Sequence, residues 1–215
     1  ICCPIVTLIG AFAFLVGVGG APLMSINMGA GREDEARRIL SNSFLILCVC
    51  AVVLTAAVFP LQRPMLMFFG ASETTYPYAE EYFSIYLCGT AFNLLSLGMN
   101  QFIISQGFAK KGMFSVVLGA ALNIVLDPLF IFVFDMGVAG AAVATVLSQL
   151  ASCVYVLCVL FGRTVPVRIG FGRYSLRLVG RILVTGISPF LIIFVDSIMI
   201  ISMNAVLQSY GGPEL

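Results

Sequence analysis

The chain contains no histidine, and none of its seven cysteines stands in a C-x-x-C pair. A Cys/His zinc site is therefore excluded. No nucleophile–base constellation and no phosphate-cradling loop can be found, so an enzyme is the least supported class. Charge is scarce as well: 10% of residues are Asp, Glu, Lys or Arg, against about a quarter in soluble domains. The net charge of +1 gives no reason to expect nucleic acid or an acidic surface partner. A basic leader region is missing before the first apolar run, so no signal peptide is read. The chain starts on Ile1 and ends in the turn-rich 209–215 stretch, the pattern expected of a fragment that has lost an earlier helix.

What is present is apolar. Hydrophobic residues make up 60% of the chain, and they fall into six runs: 1–28, 39–60, 82–106, 113–134, 138–162 and 182–208. Each run is long enough for a helix to cross the roughly 30 Å hydrocarbon core. The fold class predicted is all-α, a polytopic transmembrane bundle. The cysteines lie almost entirely inside these runs and read as small residues facing lipid or core. Met65–Phe69 is expected as a short interfacial helix, and Ala71-Ser72-Glu73 resembles a helix start. If the runs alternate across the membrane, the loops 29–38, 107–112 and 163–181 share one side. They hold Arg32, Arg37, Arg38, Lys110, Lys111, Arg163, Arg168, Arg173, Arg177 and Arg181. The opposite loops hold Arg63 alone. The positive-inside rule makes the first set cytoplasmic. The 163–181 region, with five Arg and no acid, reads as a solvated connector able to touch anionic lipid.

The fourth run carries an acid in its middle. Asn123, Gly119 and Ser115 precede Asp127 by one, two and three steps of four, so on a helix all four share one small, polar face. Pro128 lacks an N–H and crowds the carbonyl of Ile124, which should kink or loosen the helix beside the carboxylate. An ionisable group at this depth is costly and marks a functional site by default; the competing reading is a structural hydrogen bond that staples two helices. Small residues recur every fourth position in the first run (Ala13, Gly17, Ala21, Ser25, Gly29), and Gly137, Ala141, Thr145 and Gln149, with Ser148 and Ser152, do likewise in the fifth. Such stripes let helices pack closely, and their polar members add candidates for a site. Asn93, Gln101 and Gln149 are the residues expected to line a substrate cavity. Asp196 in the sixth run has only apolar Ile192 and Ile200 four residues away and stays outside the expected site.

Three stretches carry a resemblance: Gly19-Gly20-Ala21-Pro22-Leu23-Met24-Ser25-Ile26-Asn27-Met28-Gly29-Ala30-Gly31, Asn123-Ile124-Val125-Leu126-Asp127-Pro128-Leu129-Phe130-Ile131-Phe132, and Met136-Gly137-Val138-Ala139-Gly140-Ala141-Ala142-Val143-Ala144-Thr145. In order and spacing the chain resembles the multidrug and toxic compound extrusion (MATE) family of secondary transporters, over family helices two to seven of twelve. The resemblance implies that 1–162 is most of an amino-terminal lobe lacking its first helix, 163–181 a cytoplasmic inter-lobe linker, and 182–215 the first helix of a second lobe. There Asn204 resembles a repeat-related position. It also implies that Asn123, Asp127 and Thr145 bind the coupling ion, H⁺ or Na⁺, with no other cofactor or metal. The implied activity is antiport of organic cations, drugs or other amphipathic compounds across the plasma membrane, by a protein monomeric at full length with lipid and small molecules as partners. Two alternatives stand beside it. A related flippase of lipid-linked sugars would line its cavity with cationic residues, and these runs hold essentially none. A non-transporting membrane subunit would use Asp127 structurally.

Overall fold

A computed structural model describes the backbone of residues 3–68, 75–170, 172 and 174–211, with side chains at 5–67, 75–170, 172, 174–200, 202 and 203. The structure is an all-α bundle of six helices: α1 (Cys3–Gly29), α2 (Glu33–Phe68), α3 (Tyr76–Ser105), α4 (Ala109–Pro128), α5 (Gly137–Phe161) and α6 (Leu176–Gly211). All six are long and apolar enough to cross a membrane, and each overlaps one of the six hydrophobic runs. The proposed helix start at Ala71-Ser72-Glu73 and the side chain of Asn204 lie outside the described residues.

Three boundaries differ from expectation, each for a local reason. The charged knot after the first run is helical, because Glu33, Asp34 and Glu35 sit in the first turn of α2, where carboxylates meet the positive end of the helix dipole. Glu35 also pairs with Arg38 at 2.8 Å. At its other end α2 continues through Pro60 and Pro64. The two prolines are one turn apart and both exposed, so the lost N–H groups fall on one outer face and the helix carries on. Met65–Phe68 is thus the last turn of α2 rather than a separate interfacial helix. Third, Pro128 does not break α4. The chain widens directly after it into a π-helical turn, Leu129–Val133, closed by Phe134 N–H donating to the Leu129 carbonyl at 3.1 Å.

α3 is the axle of the bundle, packing against α1, α2, α4 and α5. It supplies Phe83, Leu87, Leu94, Met99, Phe102 and Ile103 to a core shared mainly with α1 and α2 and extended by α5, the 165–169 segment and Ile182 of α6. The small stripe of α1 serves this packing. Ala13, Gly17 and Ala21 are buried, and a Cβ on Gly17 would stand 2.7 Å from the Gly98 carbonyl oxygen of α3. At the end of the stripe the Ser25 hydroxyl donates to the Ser105 carbonyl at 3.1 Å.

The connector after α5 is docked, which corrects the expectation of a solvated segment. Val165, Val167 and Ile169 are buried in an alternation that marks an extended, half-buried chain. Its backbone is tied to the end of α3 and to α2: Val167 N–H donates to Gln106 Oε1 at 2.9 Å, Gly170 N–H to Ser41 Oγ at 3.1 Å and Ser175 N–H to Asn42 Oδ1 at 3.1 Å. Burying one aliphatic side chain contributes about 1.5–3 kcal/mol, against about 0–1 kcal/mol for an exposed arginine contact. The buried half of the pattern therefore decides the connector's position and its arginines follow. Lys111 Nζ donates to the Thr164 carbonyl at 3.2 Å, so the three basic loops gather at one end of the bundle.

Candidate functional site

α3 is both polar and buried. Asn93, Ser96 and Asn100 are among its buried residues, spaced three and four apart so that one face carries all of them. That face meets the polar face of α4 and the small stripe of α5. Between the three helices lies a groove of about 250 Å³ whose lining includes Asn93, Asn100, Asn123, Thr145, Ser148 and Gln149.

Close approach of α4 and α5 builds its walls. Gly119 of α4 sits where a Cβ would collide with the Ser152 hydroxyl of α5, and that hydroxyl donates to the Ser115 carbonyl at 2.9 Å. Ser148 and Thr145 donate to the carbonyls one turn back, Ala144 at 2.8 Å and Ala141 at 2.9 Å. Hydroxyls whose protons are committed in this way present lone pairs, so the groove is rich in acceptor oxygen. Such a surface suits a hard cation.

Asp127 lies one turn beyond the groove. Its Oδ1 accepts from Asn123 Nδ2 at 3.0 Å, and with that nitrogen committed the Asn123 amide oxygen is the part able to meet a cation. The π turn begins two residues later, and α5 is fitted under it. Asp135 and Gly137 take positive φ of 53° and 55° to reverse the chain. A Cβ on Gly140 would stand 2.8 Å from both the carbonyl carbon and oxygen of Phe130. The Gly137-Val138-Ala139-Gly140 stretch is thus the turn and the contact that hold α5 against the acid-bearing helix.

Of the residues predicted from sequence, the structure brings Asn93, Asn123, Thr145 and Gln149 to one groove and joins Asp127 to it through Asn123. Gln101 is elsewhere: it turns toward α1, its Cγ 3.0 Å from the Cβ position of Gly17. Asn100 takes the place assigned to it, one residue and about 100° away on the helix. Ser148 and Ser152 of the polar stripe line the groove as well, whereas Ser96 and Asn100 were missed as lining residues, although the 93, 96, 100 spacing on α3 carried the signal. A second cavity of about 500 Å³, between α1, α3, α5 and α6, is lined by residues that include Tyr86, Asn93, Gln149 and Asp196. Asn93 lies on both, and its Nδ2 donates to the Tyr86 hydroxyl at 2.8 Å.

Comparison with known proteins gives a consistent answer. The MatE family description matches residues 1–129. The multidrug export protein MepA of Staphylococcus haemolyticus is 26% identical over 212 residues, covering 97% of this chain and 47% of MepA. Its Staphylococcus aureus counterpart (strain NCTC 8325) is 24% identical over 211 residues. Among solved structures, an inward-facing multidrug resistance MATE family transporter of the MOP superfamily superposes with a TM-score of 0.91 at 30% identity, over 97% of this chain and 48% of that one. An outward-facing one superposes with a TM-score of 0.88 at 29% identity, over 97% and 47%. The chain spans about half the length of the curated relatives it matches.

Proposed function

The chain belongs to the MatE family, the MATE transporters, and from that premise we propose that it carries one half of a cation-coupled antiporter exporting amphipathic organic cations and drugs. Residues 1–162 form most of the amino-terminal lobe, 163–181 the cytoplasmic inter-lobe linker and 182–215 the start of the second lobe. The observation that carries the reading is the oxygen-lined groove between α3, α4 and α5, with the Asn123–Asp127 hydrogen bond at its end.

H⁺ or Na⁺ bound at Asp127, Asn123 and Thr145 neutralises the carboxylate and weakens the hydrogen bond that Asn123 donates to it. The π turn beside it supplies a segment whose hydrogen bonds can shift by one register. Repacking there changes how α4 and α5 meet α3, which favours release of the exported compound outward. By reciprocity the compound must weaken ion binding to the same degree. Good superposition on both an inward-facing and an outward-facing transporter supports rocking of whole units rather than internal rebuilding. The gathering of basic loops at one end supports a cytoplasmic placement for that end in the plasma membrane.

The test is ethidium efflux from drug-sensitive bacteria expressing the full gene product, with the Na⁺ and H⁺ gradients collapsed one at a time. Efflux should stop with one gradient and be absent in a well-inserted Asp127→Asn variant. Normal efflux by that variant would remove Asp127 from the coupling site.

A further inference from the structure

Neither cavity is lined by any charged side chain except one. Among the described residues that line them, Asp196 is the sole acid, and no Lys or Arg is present. No cation among the described residues pairs with it, since Arg38–Glu35 is the one ion pair among them. The carboxylate is exposed and lies in the larger chamber.

That chamber lies beside the close crossing of α1 and α6. At the crossing Gly186 is pressed on the Leu15 carbonyl, and a Cβ on Gly19 would strike the backbone of Ile182 and Gly186. Two to three turns from that crossing Thr7 of α1 and Asp196 of α6 line the chamber, together with Phe14 beside the crossing, Tyr86 of α3 and Gln149 of α5. Size separates the roles of the two cavities. Drug-sized ligands occupy sites of about 300–1,000 Å³, so the 500 Å³ chamber is of that class and the 250 Å³ groove is not.

We infer that Asp196 is the counter-ion for the positive group of the exported compound, in a chamber distinct from the Asp127 groove and divided from it by Asn93, Leu97 and Gln149. The inference rests on the export function proposed above and adds the residue that selects for cations. A chamber that holds a carboxylate and the Phe14 ring in its lining matches an aromatic organic cation, whose charge is attracted by the acid and by an aromatic face. Gln149 adds a directional contact. It lines the chamber, and a side-chain amide can hydrogen-bond an amine N–H. Asn93 and Gln149 line both spaces, so the same two amides connect the compound's chamber to the groove.

The experiment is equilibrium binding to the purified full-length protein without any gradient, using cationic ethidium and the uncharged dye N-phenyl-1-naphthylamine. For Asp196→Asn the ethidium Kd should rise roughly tenfold or more, the scale of a single lost charge contact, while the neutral dye binds as before. Asp196→Glu should restore most of the ethidium affinity. Unchanged ethidium binding by Asp196→Asn would overturn the counter-ion role and leave the export reading standing. Equal loss of both dyes would also overturn it, by making Asp196 structural. A wild-type protein that binds neither dye would sink the export reading together with the inference.

Discussion

At the scale of single residues, the contact between Gly119 and Ser152 is the tightest seam of the groove. A methyl group at position 119 would push the Ser152 hydroxyl off the Ser115 carbonyl. Overpacking of this kind costs about 1–3 kcal/mol, so Gly119→Ala should lower the melting temperature measurably in detergent. Removing the hydroxyl makes room, and Ser152→Ala in the Gly119→Ala background should recover part of the loss, which a double-mutant cycle would quantify. The residues of the site were legible to different degrees. Asn123 and Asp127 stand one turn apart on the same element, so their hydrogen bond follows from spacing alone. Gln101 was misplaced because an amide in an apolar run says that a partner exists without saying which neighbour supplies it. The partner depends on helix phase, and a one-residue difference moved the role to Asn100. Tyr86 gave no signal, being one more aromatic residue in a run of them.

At the scale of elements, one device sets the geometry around the acid and a second ties the opposite end of the bundle. The first is the π turn after Pro128, held under α5 by Gly140. Gly140→Ala would place a methyl against the Phe130 backbone, which cannot yield as a side chain can. The expected outcome is lower thermal stability together with faster amide exchange at Phe134 and Met136, whose N–H groups donate to the Leu129 and Phe130 carbonyls. The second is the connector. Replacing Gln106 by Leu leaves the Val167 N–H buried without its acceptor, a loss of about 1–3 kcal/mol. Amide exchange across 165–170 should accelerate while α3 stays protected. The connector was misread because its arginines are conspicuous and the alternation Val165, Val167, Ile169 is short. Burial of those three side chains, supplied by helices distant in sequence, outweighs the solvation of the charges between them. The π turn was foreshadowed by Pro128, and the run of α2 through two prolines was not, since their shared outer face is visible only once the helix phase is known.

At the scale of the whole molecule, the six-helix architecture was legible because hydropathy and length report directly on the cost of placing an unpaired backbone in lipid. The cavities were not, because each is enclosed by helices brought together from separate parts of the chain. Asp196 was noticed as an acid but could not be given neighbours, which come from α1, α3 and α5. Orientation follows from the basic loops. A single cysteine replacing Lys110 in a cysteine-free background should react with a membrane-impermeant maleimide only after permeabilisation, whereas one replacing Arg63 should react in intact cells. The central claim is that the Asn123–Asp127 pair couples ion and compound. Its most direct measurement is ion flux in proteoliposomes of the full-length protein when an ethidium gradient is imposed and no ion gradient exists. The account predicts H⁺ or Na⁺ movement opposite to ethidium in the wild type and none in Asp127→Asn. Ion movement of wild-type size in that variant would contradict it.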